Sequence, residues 1–352
     1  MAMSMKADWD MCAQRYKAFW AGAIIDRPVV QVYAPKRQNL SNSWWRILDE
    51  AVWADPEPVV TEVLDMLDGT YFAGDAYPMW FPNLGPGTMT AFLGSPIRFD
   101  PAHDTSWQEH TVASLQDWNP QLAPDDLVWQ ATLNLTKRIA ESAQGKFVCG
   151  ISDLGMGIDL ISNVRGPDGL CFDLIDCPEV VVDRLVTLRN IWEHCYQSLY
   201  DLLPAGNGSN CWLPAWAPGT TYPLQGDFTC MISTEMFEEI VLPDLQAYCQ
   251  WLDYPIYHLD GPGALKHLDL LLSIPELRAI QWTAGAGQPE MPHWIPMLRR
   301  IQQAGKGLYL YVNPVDVEPL MAALRPEGVI LNMWAPTPAE ADVLVAKVAT
   351  WR

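Results

Sequence analysis

The 352-residue sequence has no run of about 18 consecutive apolar residues, the length needed for a membrane-spanning helix. The first ten residues lack the apolar segment of a secretory signal peptide. Basic residues are also scarce: 22 Lys and Arg stand against 42 Asp and Glu, a formal net charge of -20. Nucleic acids and anionic membranes bind through Lys and Arg, so we expect neither as a partner.

The eight cysteines form no Cys-x-x-Cys pair and have no regular spacing. In a chain of this length that pattern is typical of reduced, mostly buried thiols, not of a disulfide framework. We therefore expect a cytoplasmic protein.

Short apolar runs alternate with amphipathic stretches along most of the chain. We predict nine strands, at residues 27–33, 70–75, 146–153, 209–213, 224–229, 255–260, 279–282, 307–312 and 328–332. The predicted helices include residues 8–20, 56–68, 126–144, 178–203, 234–252, 264–273, 294–304, 314–324 and 338–351. This alternation implies a parallel sheet, and the absence of Gly-x-Gly-x-x-Gly after the first strand favours a closed (β/α)8 barrel over a dinucleotide-binding fold.

The barrel is expected to span about residues 25–335 of a single domain, 1–352, because no Pro/Ser-rich linker divides the chain. An N-terminal helix precedes it, and the polar segment 95–125 predicts a hairpin-like loop excursion. With nine candidate strands, either 27–33 or 209–213 should lie outside an eight-stranded barrel.

The segment from His258 to Gly263 (HLDGPG) carries the strongest functional signal. It follows a short apolar run, and its glycines indicate a turn from a strand into a helix. Side chains two apart on a strand point the same way, so His258 and Asp260 should face together. In a β/α barrel they would lie at the catalytic edge. The alternative is a helix-capping pair or a half-buried histidine with no catalytic role.

Other predicted strands also end in residues capable of chemistry or binding: Asp75, Asp153, Asp227, Trp282, Tyr311, Asn313 and Trp334. Carboxylates crowded around a histidine acquire the shifted pKa values that acid–base catalysis needs. We predict His258, Asp260 and Asp227 as catalytic residues; for isolated aspartates the alternative is a helix N-cap. Cys230 could be a metal ligand or nucleophile, or a buried inert thiol.

Tryptophan is unusually frequent, with 17 residues, several of them at predicted strand ends. Such residues can line a pocket for a flat or cationic ligand, although core packing is the alternative for each. The predicted substrate-binding residues are Trp80, Tyr77, Asp153, Trp282, Tyr311 and Trp334.

Two stretches resemble the uroporphyrinogen decarboxylase superfamily, which includes methylcobamide methyltransferases. The first is Arg165-Gly166 followed by LCFDLIDCPEVV, and the second is Asp227 followed by ISTEMFEEIVLP. Arg27-Pro-Val-Val also resembles the first strand of that family. The resemblance covers about residues 25–335 and implies a uroporphyrinogen decarboxylase-like (β/α)8 TIM barrel.

The chain departs from both well-known activities of that superfamily. The decarboxylases carry Arg-Gln-Ala-Gly-Arg after the first strand, whereas residues 36–40 here read KRQNL and lack the second arginine. The thiol-methylating members hold zinc with His-x-Cys and a cysteine near the last strand. Here the pair is His258-x-Asp260, and residues 330–334 contain no cysteine. Without those thiolates, His258 and Asp260 could still hold a metal together with Asp227 or Cys230.

The resemblance favours methyl transfer between a small methylated substrate and a corrinoid. The chain lacks the cobalt-binding motif Asp-x-His-x-x-Gly, so the corrinoid would arrive on a partner protein. His258 with Asp260 or Asp227 would protonate the leaving group or orient a metal that does so. The alternatives are a decarboxylase or lyase acting on a small carboxylic acid and a non-catalytic ligand-binding barrel. A homodimer is one alternative for the oligomeric state.

Overall fold

A computed structural model describes all residues except 1–2, 39, 41–43, 101 and 104. The strands are β1 Val29–Pro35, β2 Thr70–Gly74, β3 Met79–Trp80, β4 Ile97–Asp100, β5 Thr105–Gln108, β6 Val148–Cys149, β7 Thr221–Leu224, β8 Tyr254–Asp260, β9 Ala279–Thr283, β10 Gly307–Tyr311 and β11 Val329–Trp334. The helices are α1 Trp9–Trp20, α2 Glu50–Ala54, α3 Glu57–Gly69, α4 Met89–Phe92, α5 Leu127–Ala143, α6 Gly157–Arg165, α7 Pro167–Asp176, α8 Pro178–Tyr200, α9 Thr234–Met236, α10 Leu242–Trp251, α11 Leu268–Leu272, α12 Ile295–Gln303, α13 Val317–Ala323 and α14 Pro338–Val348.

The main sheet has seven strands in the order β2-β1-β11-β10-β9-β8-β7. All neighbouring pairs are parallel except β1 and β2, which are antiparallel. A separate parallel pair, β3 and β6, lies apart from this sheet. Within the described residues the ladder does not close on itself, so the structure establishes an α/β fold with a mostly parallel central sheet.

Alternate residues of the parallel strands enter two different cores. Val30 and Leu331 pack with the helices on one face of the sheet. Val29 and Ile330 pack on the other face, where Tyr16 of α1 is fully buried. Burial on both faces explains why these strands are apolar at nearly every position.

Several predicted elements are confirmed. The predicted N-terminal helix is α1, and the helix predicted at 126–144 is α5, whose N-cap Asp126 accepts a hydrogen bond from Trp129 N at 2.9 Å. The polar excursion contains the antiparallel hairpin of β4 and β5. The strands predicted at 255–260, 279–282, 307–312 and 328–332 are β8 to β11, within two residues at each end.

Two strand predictions are wrong. The strand expected at 224–229 lies earlier, at Thr221–Leu224, where Pro223 is tolerated because β7 is an edge strand. The following residues, Asp227–Met231, form a 3₁₀ turn instead. Segment 209–213 forms only an isolated bridge, in which Ser209 pairs with Ala217. Of the two segments of which one was expected outside the sheet, 209–213 lies outside it and 27–33 belongs to β1.

The long helix predicted at 234–252 is interrupted. It consists of α9, a π-helical turn at Phe237–Val241 and α10. Pro243 explains the interruption, since it has no N–H and its ring crowds the carbonyl one turn earlier. Similarly, the helix predicted at 264–273 begins as the 3₁₀ turn Pro262–His267 before α11.

None of the helices in the described part of the chain combines the length and the apolar character that crossing a membrane requires.

Candidate functional site

Three predicted catalytic residues converge at the carboxyl edge of the sheet. His258 and Asp260 lie on β8, and Asp227 opens the 3₁₀ turn that follows β7. One side-chain donor atom from each of the three lies within 4.8 Å of the others. His258 is half-buried, whereas both carboxylates are exposed to solvent. The site therefore presents one imidazole and two carboxylates to solvent at adjacent strand ends.

The His258 ring is held by the neighbouring strand. Gln281 of β9 donates from Nε2 to Thr283 Oγ1 at 2.7 Å, which leaves its Oε1 facing His258 Nδ1. Because an amide oxygen only accepts, Nδ1 carries a hydrogen, so in the neutral ring the lone pair is on Nε2. The Trp212 ring stands edge-on to the imidazole, with centroids 5.0 Å apart. His258 is thus fixed in orientation and tautomer, with Nε2 available to take a proton or bind a metal.

A further carboxylate, Asp159 at the start of α6, supports the turn that carries Asp227. Its two oxygens accept from the backbone N–H groups of Asp227 and Phe228, each at 2.9 Å. Loss of hydration, with the nearby Asp227 charge, raises the pKa of Asp159 to about 7. The pKa of Asp227 is also raised: although the residue is exposed, neighbouring groups remove part of the hydration of its carboxylate, and Asp260 adds to the effect while His258 opposes it. One proton can therefore be held among these carboxyls near neutral pH.

Asp153, a predicted substrate-binding residue, lies close to this group but is buried. Its Oδ1 accepts from the Tyr222 hydroxyl at 2.8 Å and from Gly155 N at 3.0 Å. Burial raises the pKa of Asp153, and Asp227 is one of the charges that act on it.

Gly155, whose N–H binds Asp153, has φ +66°, and a Cβ there would lie 2.6 Å from the Gly87 backbone, so glycine is required at this position.

The arrangement fits a divalent cation. Zinc binds imidazole nitrogen and carboxylate oxygen at about 2 Å, so two of its ligand atoms lie at most about 4 Å apart. The 4.8 Å limit for Asp227, His258 and Asp260 is slightly wider, but both carboxylates are exposed and can rotate inward. Gln281 supplies the hydrogen bond to the second ring nitrogen that is common for histidine ligands of metals.

The other predicted metal ligand, Cys230, does not join this group among the described residues. Its side chain is exposed in the 3₁₀ turn after Asp227, and its carbonyl accepts from Lys266 Nζ at 2.8 Å. The alternative of a buried inert thiol is wrong for Cys230, because the residue is exposed.

The predicted substrate-binding aromatic residues divide into two sets. Trp282, Tyr311 and Trp334 line one cavity of about 620 Å³ at the carboxyl ends of β9, β10 and β11. Trp80 is buried in the core formed with α3 and α5, and Tyr77 packs against Trp9 and Tyr16 of the N-terminal segment. The structure therefore does not bring Trp80 into a cage with Trp282 and Trp334.

Asp75 was expected at the same edge but lies at the opposite one. Strand β2 is antiparallel to β1, so its end meets the beginning of β1, where Asp75 Oδ2 accepts from Val30 N. The buried carboxylate forms ion pairs with Arg15 and Arg27. Asp75 is a structural residue.

Sequence reasoning missed Gln281 and Asp159. Gln281 carried a usable signal, because it is a polar residue inside the apolar strand AIQWT and must face a polar partner if buried. Asp159 resembled an ordinary acidic residue in the first turn of a helix, and only its contact with the turn after β7 reveals its role.

No protein-family model matches the chain, and a search of curated proteins found no match.

Proposed function

We propose that the protein is an enzyme that moves a methyl group between a small methylated substrate and a corrinoid carried by a partner protein. The observation that carries the proposal is the convergence of Asp227, His258 and Asp260 at the carboxyl edge of the parallel sheet. Methyl transfer as the reaction rests on the resemblance of the Arg165-Gly166 and Asp227 segments to the superfamily that contains methylcobamide methyltransferases.

The proposed fold is a (β/α)8 barrel of the uroporphyrinogen decarboxylase type. Six parallel strands in one sheet, buried on both faces, support it. The pair β3–β6 would supply part of the remaining wall, and Gly150 N donates to Trp80 O at 2.8 Å beside it. In such barrels the catalytic groups lie at the carboxyl ends of the strands, where β8 places His258.

The chemical step needs a group that stabilises the atom losing the methyl group. The bond from carbon to the oxygen or sulfur of the substrate breaks, and its electron pair stays on that heteroatom. The methyl group goes to the reduced corrinoid, whose electron pair forms the new bond. Without a metal, a protonated carboxyl or imidazole of the Asp227, His258 and Asp260 group would give its proton to the departing heteroatom. With a metal bound, these groups are unprotonated ligands, and the metal would stabilise the heteroatom in their place. Asp159 holds the backbone of Asp227 and so positions its side chain.

Zinc is the proposed metal, held by His258 Nε2 and the carboxylates of Asp227 and Asp260. When bound, it would polarise the heteroatom that carries the methyl group. With or without zinc, Gln281 fixes the orientation of the His258 imidazole. The carboxylates of Asp227 and Asp260 are exposed, so substrate can approach them.

We propose that the enzyme works in the cytoplasm, which the eight free thiols support. The corrinoid partner would have to approach the carboxyl edge of the sheet, because the reacting residues lie there.

The test measures methyl transfer to reduced cobalamin by its visible spectrum, with 2-methoxyphenol, dimethyl sulfide and 2-methoxyethylamine as donors. We expect transfer from at least one donor in the wild type and its loss in the double variant His258→Ala/Asp260→Ala. The matched control is His194→Ala/Asp125→Ala, which removes the same residue types from exposed positions. Retained transfer in the double site variant would contradict the assignment.

A second measurement addresses the decarboxylase or lyase alternative. Carbon dioxide release from small aromatic acids, without corrinoid and dependent on His258, would replace methyl transfer with decarboxylation. Ligand binding without turnover of any compound would instead leave a non-catalytic binding protein.

A further inference from the structure

A cavity of about 620 Å³ opens at the ends of β9, β10 and β11, next to the catalytic group. Thr283 lines it, and Thr283 pairs directly with Asp260 in the register of β8 and β9. The same Thr283 hydroxyl accepts from the Gln281 side chain that holds His258. Asp227, His258 and Asp260 do not themselves line the cavity, so Thr283 is the residue that links a molecule bound there to the catalytic group.

Two carboxyl groups line the cavity, from Glu290 and Asp316. Asp316 is only 8% exposed, yet its Oδ2 has no hydrogen-bond partner among the described residues. An unpaired buried carboxyl oxygen is costly, and a positive charge on a ligand would offset that cost. Glu290 stays exposed and accepts from Asn313 Nδ2 at 2.7 Å, which orients it at the mouth.

Aromatic side chains form another part of the wall. Trp334 is 55% exposed, so part of its indole is accessible to a ligand. One face of its indole stacks on Tyr33, with centroids 5.2 Å apart and an angle of 29° between the rings. Tyr311 lines the same wall and is 39% exposed. Aromatic faces left accessible in this way attract cations, because the π-electrons give each face a negative potential.

Trp282 also lines the cavity, and its indole packs in the core against Trp294. Its side chain is fully buried, and its Nε1 has no partner within the described part of the chain. No Lys, Arg or His lines the cavity among the residues that the structure describes. Carboxyl groups, aromatic faces and no positive charge suit an organic cation and repel an anion.

We infer that this cavity binds an organic ammonium group on the substrate. The inference rests on the proposed function, because it names the recognition group of the substrate whose methyl group reacts at His258. The ammonium would lie between Trp334 and the carboxyl groups of Glu290 and Asp316. The methyl-bearing oxygen or sulfur would then reach across Thr283 toward His258.

Calorimetric titration of the full chain with choline tests the inference. The control ligand is 3,3-dimethylbutan-1-ol, which has nearly the same shape without the charge. We expect choline to bind roughly tenfold more tightly than this alcohol, the scale expected for a cation on aromatic faces. Equal affinity for the two ligands, or no binding of choline, would overturn the inference.

Single substitutions test which side chains of the cavity bind choline. Trp334→Leu and Glu290→Gln should each weaken choline binding severalfold, and both change exposed side chains, so the fold should be retained. Asp316→Asn tests whether the buried, unpaired Oδ2 of Asp316 contributes to choline binding. Glu327→Gln is the matched control, because Glu327 is exposed beside the amino end of β11, at the other edge of the sheet. A loss of binding in Glu327→Gln equal to that in Glu290→Gln would attribute the effect to net charge and overturn the assignment.

The two proposals can fail separately. Choline binding that is sensitive to Trp334→Leu, without any methyl transfer, would retain the ammonium site and overturn the methyltransferase proposal. Equal methyl transfer from 2-methoxyethylamine and from neutral 1-methoxypropane would retain the enzyme and overturn the ammonium site.

Discussion

His258 and Gln281 are direct partners in the register of β8 and β9, and Nδ1 of the imidazole meets Oε1 of the amide. This contact spans 23 residues of sequence and fixes which ring nitrogen carries the hydrogen. The chemistry of the site therefore depends on strand pairing as much as on the residues of β8.

Replacing Gln281 with Leu should weaken zinc binding by about 10- to 100-fold, the usual effect of losing the partner of a metal-binding histidine. Gln281→Glu should restore much of the affinity, because a carboxylate also accepts from Nδ1–H. Competition with a chromogenic chelator measures the constants, and Gln250→Leu, on the exposed face of α10, is the control. Unchanged affinity in Gln281→Leu would mean that Nδ1 is not the fixed nitrogen.

Protein purified without chelators should contain about one zinc ion per chain, and His258→Ala should lose it, since the only nitrogen ligand is removed. Cys230→Ser should keep the metal, because Cys230 lies outside the converging group. Elemental analysis measures both. Loss of zinc in Cys230→Ser, with retention in His258→Ala, would reverse the ligand assignment.

The contribution of Asp159 to stability should fall as the pH rises. Its pKa is about 7 in the folded protein against 3.8 as the ordinary value, so the folded state binds the extra proton. The contribution is complete below pH 3.8 and is lost as the pH rises through 7, with a slope of up to about 1.4 kcal/mol per pH unit.

Asp159→Asn should therefore flatten the pH dependence of the unfolding free energy between pH 4 and 7. Asp244, whose pKa burial also raises to about 7, stays in both proteins, so the difference between them isolates Asp159. Urea denaturation at several pH values gives the two slopes. If the unfolding free energies of the wild type and Asp159→Asn change with pH at the same rate, Asp159 is already ionised at pH 5.

Asp75→Asn should lower the unfolding free energy by about 3–5 kcal/mol, because it leaves Arg27 buried without its partner. Zinc binding should not change, since Asp75 lies at the opposite edge of the sheet. Asp26→Asn, which removes only an exposed partner of Arg15, should lower it by less than about 1 kcal/mol. Similar effects of the two changes on the denaturation midpoint would contradict this ranking.

Much of the fold could be predicted from local patterns. The strands β8 to β11 are short apolar runs between turns, and α12 carries its apolar residues at helical spacing. The errors fall where distant contacts decide the local structure. The segment after β7 became a turn, because Asp159 takes the backbone N–H groups that a strand would have used.

The sequence by itself determined that His258 and Asp260 face the same way, because residues two apart on a strand always do. It also determined the alternation of helices and strands, since those periodicities are local. Only the tertiary structure decided that Asp227 joins them, that Asp75 does not, and that Trp80 is buried away from Trp334. These outcomes depend on which strands are neighbours and in which direction they run, and that is set by hydrogen bonds and packing between distant segments.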